Sequence, residues 1–263
     1  MDTAAADRTR NFRTILGIRF FVGGVQEAID LVRHGGLLVV PAAPALKNLP
    51  EDTAYRDALL GADVAITDSS LMVMVWNFVM KDNIRRLSGL EYLVELLKEP
   101  EVRKLGGTFW IMAGEESAAM NLAWLAGQGV EVLPEDAYLA PMYGSTIEDE
   151  ALLRILDKRK PPHIIVTIGG GTQERLGLYL KHNLQWLPAI HCIGAAIAFL
   201  SGDQVHIPMW ADRFYLGWFF RCLSEPKRYV PRYWSARKLV ALMLRYQDLL
   251  PLASANESRP RAY

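Results

Sequence analysis

His163-Ile-Ile-Val-Thr-Ile-Gly-Gly-Gly-Thr-Gln-Glu174 sets an apolar run against three consecutive glycines, with a polar segment toward Lys181 beyond them. Residues 164–168 read as a buried strand, and the segment after Gly171 reads as the start of a helix. Glycine lets a backbone turn sharply and approach a ligand with no Cβ in the way. The first N–H groups of a helix lack internal partners and carry partial positive charge. Gly169, Gly170 and Gly171 therefore suit an anion, here the diphosphate of a nucleotide. They equally suit a plain tight turn. Neither G-x-x-x-x-G-K-[ST] nor G-x-G-x-x-G is present, so the commonest phosphate fingerprints do not decide between the two.

The same strand-then-helix grammar repeats on either side. Residues 14–21 alternate like a strand or hairpin, and residues 25–34 form an amphipathic helical pattern closed by Gly35-Gly36. Short buried-strand runs follow at 37–41, 62–67, 108–113 and 130–133, and residues 186–199 hold one more strand and a buried turn. Helical segments lie at 52–60, 71–80, 89–98, 115–127 and 148–158. Near-continuous apolar strands alternating with helices imply an α/β fold, with a parallel, Rossmann-like sheet covered by helices on both faces. Ligands of such sheets bind at the carboxyl ends of the strands, where Asp68 and Gly169 to Gly171 fall.

The chain of 263 residues is long enough for one large domain, or one domain plus an appendage. Its 29 basic and 29 acidic residues balance, so nothing global points to nucleic acid. Two cysteines, Cys192 and Cys222, lie in apolar surroundings without a disulfide pattern, as expected in a reducing compartment. Residues 1–14 lack the apolar core of a signal peptide, and the longest apolar runs fall short of the roughly 18 residues that span a bilayer. The expectation is a cytoplasmic protein.

Beyond about residue 205 the composition changes. Between Arg221 and Lys238 the cations Arg221, Lys227, Arg228, Arg232, Arg237 and Lys238 face a single acid, Glu225, and aromatic residues are interleaved. Such a segment fits peripheral contact with an anionic membrane surface, or an aromatic helix packed on the core with a solvated rim. The chain thus divides into a core, 1–204, and a C-terminal appendage, 205–263. Leu239, Leu242, Met243 and Tyr246 form one apolar face, open to packing on a partner subunit in a homo-oligomer.

Three single residues carry candidate chemistry, each with a plain alternative. Asp68 follows a strand and precedes a helix, so it is either that helix's N-cap or a general base within reach of a substrate hydroxyl. Arg86 is a surface charge or a cation gripping phosphate oxygens. Gln173 caps its helix or hydrogen-bonds a sugar or base. The five histidines have no metal-ligand spacing, and His163 and His191 read as core residues. No metal or cofactor is expected, and the lack of G-x-S-x-G argues against a serine hydrolase.

Three blocks together resemble the WecG/TagA/CpsF family of bacterial glycosyltransferases. Ala62-Asp-Val-Ala-Ile-Thr-Asp-Ser-Ser-Leu-Met-Val73 with Arg86-Leu-Ser-Gly-Leu-Glu91 is similar to the family's A-D-L-x-x-x-D-G-x-x-V and R-V-x-G-x-D. Val166-Thr-Ile-Gly-Gly-Gly-Thr-Gln-Glu174 is similar to V-G-L-G-x-P-K-Q-E. The segment from Ile193 to Tyr233 resembles G-A-x-F-D-F-x-A-G, A-P-x-W, E-W-x-x-R, E-P-x-R and R-R-Y. The resemblance implies inverting, metal-independent transfer of an N-acetylmannosamine-type sugar from a UDP donor to a polyprenol-diphosphate-linked acceptor at the inner face of the cell membrane. It makes Asp68 the base for the acceptor's 4-hydroxyl and puts Arg86, Gln173 and Glu174 near the substrates. It also assigns Arg221, Arg228 and Arg232 to the substrate-binding appendage, with Arg221 and Arg228 holding the donor diphosphate. Several positions depart from the motifs: Pro41 and Ala43 replace a hydroxyl and an amide, Thr172 replaces a lysine, Ala198 an aspartate and Gly217 a glutamate. These losses imply an altered donor or acceptor, or a non-catalytic homologue that acts as a scaffold in polysaccharide assembly.

Overall fold

The structure, a computed structural model, describes residues 11–203, 222–224 and 226–252, without the side chains of 228, 229, 232 and 233. An eight-stranded sheet runs through the described residues. In chain order its strands are β1 (Phe12–Ile15), β2 (Ile18–Phe21), β3 (Gly36–Val39), β4 (Val64–Ile66), β5 (Thr108–Met112), β6 (Ala137–Leu139), β7 (His163–Val166) and β8 (Ala189–Cys192). Their order across the sheet is β1-β2-β4-β3-β8-β7-β5-β6. Only the β1–β2 hairpin is antiparallel; every other pairing is parallel.

The near-continuous apolar strands are explained by burial on both sides. Along β7, Ile164 and Val166 enter one core with Leu37, Val39, Phe109 and Ile111, whereas Ile165 enters the other with Leu38, Trp110 and Met112. Successive side chains of a strand point to opposite faces, so a strand covered twice has no polar positions to spare. The helices supply the cover. They are α1 (Val25–Val32), α2 (Ala43–Leu46), α3 (Thr53–Leu60), α4 (Ser70–Met80), α5 (Gly89–Leu96), α6 (Pro100–Arg103), α7 (Glu115–Gly127), α8 (Glu150–Arg159), α9 (Thr172–Asn183), α10 (Ala196–Ser201), α11 (Pro226–Ser235) and α12 (Arg237–Tyr246).

Local signals set their starts. Asp52, Ser69, Ser88 and Asp149 each accept a backbone N–H of the helix that follows, the usual use of a short oxygen-bearing side chain at that position. Helix α9 packs on β3 and β8. A Cβ on Gly177 would stand 2.6 Å from both Cys192 Sγ and Leu37 Cδ1, so only glycine allows this helix to sit directly on β3 and β8.

One expectation from the sequence changes. Residues 130–133 are not a strand; the last strand on that edge is β6, which pairs with Trp110 to Met112 after a 3-10 turn at Pro134–Asp136. Pro134 lacks the N–H a ladder needs. Val130 is buried as a core contact, which explains its strand-like apolarity. The apolar face of α12 lies against the core: Leu239 and Met243 are buried, and the helix packs on α4. Beyond it, the carbonyls of Gln247 and Asp248 accept N–H bonds from Leu16 and Gly17 in the β1–β2 turn. The described part of the C-terminal region is therefore anchored to the core.

His163 and His191 are core residues. His163 Nδ1 lies 3.2 Å from His191 Nε2, and Tyr92 Oη lies 2.8 Å from His191 Nδ1. Burial pushes both imidazoles below the ordinary histidine range, so they sit in the sheet as neutral rings.

Candidate active site

The carboxyl ends of β3, β4, β5, β7 and β8 open onto one cleft of about 340 Å³. Asp68, Arg86, Gly169, Gly170 and Gln173 line it, so residues up to 105 positions apart in the chain share one wall. This is where an open parallel sheet places its ligands.

Asp68 lies just beyond β4. The N-cap of α4 is its neighbour Ser69, whose Oγ accepts the N–H of Met72 at 3.2 Å. The Asp68 carboxylate reaches a different helix: Oδ1 accepts from the N–H of Gly89, the first residue of α5, at 3.1 Å. Arg86 grips the same residue twice, through Nε to the Asp68 carbonyl at 2.6 Å and through Nη2 to Oδ1 at 3.4 Å. Thr67 ties the two segments together, donating to the Arg85 carbonyl and accepting the N–H of Leu87. Arg86 is thus a half-buried partner of Asp68, not a surface charge. Oδ2 of Asp68 makes no hydrogen bond among the described residues, and a quarter of the side chain is exposed. A carboxylate fixed through one oxygen, with the other open to a cleft, is placed to accept a proton from a bound hydroxyl.

The glycines behave differently from one another. Gly169 and Gly170 line the cleft, and the space a Cβ would take at each is open, so a ligand can reach the backbone there. Gly171 is the N-cap of α9 with φ +91°, in the region that favours glycine. Its N–H donates to Glu174 Oε2 at 2.6 Å.

Glu174 does not line the cleft. Its side chain is fully buried, and Oε1 accepts from Gln173 Nε2 at 3.0 Å. Burial outweighs these hydrogen bonds and the nearby Arg175 charge, and pushes the carboxyl up to about 7. Gln173 is 2 % exposed, and its Oε1 accepts the N–H of Gly194 at 2.6 Å. Its amide is therefore a brace between the turn after β7 and the turn after β8, and it still borders the cleft.

A second cavity, about 390 Å³, lies on the other side of the glycine turn and shares Gly170 with the first. Lys47, Asp52, Tyr55, Arg175 and Ser235 line it. The Tyr55 hydroxyl is buried without a hydrogen-bond partner among the described residues, and burial with the Glu174 charge nearby pushes it well above the ordinary phenol range. Arg175 holds the loop above by donating to the carbonyls of Gly144 and Ser145.

Sequence reasoning missed Ser117, Asn121 and Asp203, which also line the first cleft. The one signal available was a polar pair four residues apart in the alanine-rich α7, which sits on one helical face. Arg221 lies outside the described residues, as do the side chains of Arg228 and Arg232, although those two positions fall within α11. Among the described residues no group of three or more His, Cys, Asp or Glu is gathered as a metal site, and no helix is long and apolar enough to cross a membrane.

Residues 13–251 match the sequence model of the glycosyl transferase WecG/TagA/CpsF family. A curated relative from Bacillus spizizenii, N-acetylglucosaminyldiphosphoundecaprenol N-acetyl-beta-D-mannosaminyltransferase, is 24% identical over 228 residues, covering 84% of each chain.

Proposed function

The chain belongs to the WecG/TagA/CpsF family of glycosyl transferases, and from that premise we propose that it moves an N-acetylmannosamine-type sugar from a UDP donor to a polyprenol-diphosphate-linked acceptor, with inversion and without a metal ion, in cell-surface polysaccharide synthesis. The observation that carries this reading is the pairing of a fixed carboxylate, Asp68, with an open glycine turn across one cleft. Asp68 takes the proton from an acceptor hydroxyl as its oxygen attacks the anomeric carbon from the face opposite UDP. The bond from that carbon to the diphosphate oxygen breaks, and its electron pair leaves with UDP. Backbone at Gly169 and Gly170 approaches the diphosphate. Arg221, Arg228 and Arg232 offset the charge that develops on it, as preorganised cations and N–H dipoles do in water-poor sites.

Arg86 keeps Asp68 aimed, and Gln173 and Glu174 keep the glycine turn in register. Contact with an anionic membrane brings the lipid-linked acceptor to the cytoplasmic face. Exposed Leu223, Val230 and Trp234 beside exposed Lys227, Arg237 and Lys238 support that contact.

The departures at Pro41, Ala43 and Ala198 favour a second reading, a non-catalytic scaffold in a polysaccharide-assembly complex. Of these, Ala198 lines the cleft, which there lacks the carboxylate of the resembling motif. Calorimetry with UDP separates the two. The transferase gives saturable binding, and Gly170→Val weakens it by putting side-chain bulk where the diphosphate approaches. Heat of dilution alone from the wild-type protein supports the scaffold.

A further inference from the structure

The cleft has two chemically different ends. Across the sheet the strands whose ends it covers run β4-β3-β8-β7-β5, four steps of about 4.8 Å, or roughly 19 Å. Asp68 and Arg86 stand at the β4 end. At the β5 end, α7 carries Ser117 and Asn121, and the chain after α10 brings Asp203 against them.

These three side chains form one hydrogen-bonded group. Ser117 Oγ donates to Asp203 Oδ2 at 2.6 Å, Asn121 Nδ2 donates to Ser117 Oγ at 3.4 Å, and Ser201 Oγ donates to Asn121 Oδ1 at 2.6 Å. Asn121 is only 3 % exposed. The chain of bonds orients the Asp203 carboxylate and leaves its Oδ1 without a hydrogen bond among the described residues. The network is part-buried, and Asp203 borders the cleft, where its open carboxylate oxygen can meet a ligand.

The charge pattern says what uses them. Arg86 is the only cation among the described residues lining the cleft, and it is committed to Asp68 at the far end. A phosphate at Asp203 would meet a carboxylate with no cation among the described lining residues to offset it. A neutral group rich in hydroxyl donors meets an acceptor-only carboxylate, the pairing by which an acidic side chain holds the ribose of a dinucleotide in other parallel-sheet folds. Ala198, where the resembling motif carries an aspartate, borders the same cleft, so the cleft keeps a carboxylate at a different chain position.

We infer that Asp203, oriented by Ser117 and Asn121, binds the ribose hydroxyls of the donor nucleotide, so that the nucleoside lies at the β5 end, the diphosphate at the glycine turn and the sugar toward Asp68. The inference rests on the nucleotide-donor reading above.

Titration calorimetry of the full chain with UDP and with 2′,3′-dideoxy-UDP tests it. The wild-type protein binds UDP about 10- to 100-fold more tightly than the dideoxy analogue, the range expected for hydrogen bonds to a charged acceptor. Asp203→Ala lowers UDP affinity to the dideoxy level and leaves the dideoxy affinity unchanged, and Asp203→Asn, which retains an acceptor for Ser117, shows the same selective loss to a smaller degree. Equal weakening of both ligands, or of neither, overturns the ribose assignment while the donor reading stands. Absence of UDP binding by the wild-type protein overturns both.

Discussion

Asp68→Asn lowers turnover by about 10²- to 10⁴-fold, the contribution ordinarily made by a positioned general base, and leaves UDP affinity close to wild type. Asparagine keeps an oxygen for the N–H of Gly89 and fills the same volume, so the end of β4 and the start of α5 stay in place. It cannot take a proton from the attacking hydroxyl. The loss therefore falls on kcat rather than on donor binding, as expected when a group acts in the transition state. Full turnover in Asp68→Asn would mean that the base is another residue and that the Asp68–Arg86 pair only ties β4 to α5.

Glu174→Gln removes a pH dependence of stability that the wild-type protein carries. The Glu174 carboxyl is raised from 4.5 to about 7 in the folded chain by burial. Between those two values the folded state holds a proton that the unfolded state has released. The stabilisation is thus complete below the unfolded value and is lost as pH rises through about 7. One pKa unit corresponds to about 1.4 kcal/mol, so going from pH 5 to pH 8 costs the wild type about 2 to 3 kcal/mol relative to Glu174→Gln. His163 and His191 titrate with the opposite sign, since burial lowers them, but both proteins retain them and their contribution cancels in the difference. Urea unfolding of both proteins at the two pH values reads the effect directly. A difference that stays constant with pH would show that Glu174 is ionised throughout.

The architecture was legible where local and tertiary demands coincide. Ile164 to Val166 are apolar because the sheet is covered on both faces, and Gly171 is glycine because the chain turns at positive φ into α9. The error at residues 130–133 has the same root: a buried coil residue such as Val130 and a buried strand residue are apolar for the same reason, and periodicity over four positions cannot separate them.

Within the cleft, Asp68, Arg86, Gly169, Gly170 and Gln173 were legible as residues of interest, but their partners were not. Gln173 braces Gly194, and the Asp68 carboxylate meets α5 instead of capping α4, because each partner is supplied by a segment some 20 residues away. The group at Ser117, Asn121 and Asp203 is assembled across more than 80 residues from ordinary polar side chains, and no spacing announces it.

The central claim is sugar transfer from a nucleotide donor to a lipid-linked acceptor in this cleft. The direct measurement incubates the purified full chain with a UDP-N-acetylmannosamine-type donor and a polyprenol-diphosphate-linked N-acetylglucosamine on anionic vesicles, and follows both UDP and the mass of the lipid. UDP release is expected in step with a lipid heavier by one N-acetylhexosamine residue, with both signals falling together in Asp68→Asn. An unchanged lipid mass and no UDP above background, from protein that is folded and bound to the vesicles, would contradict it.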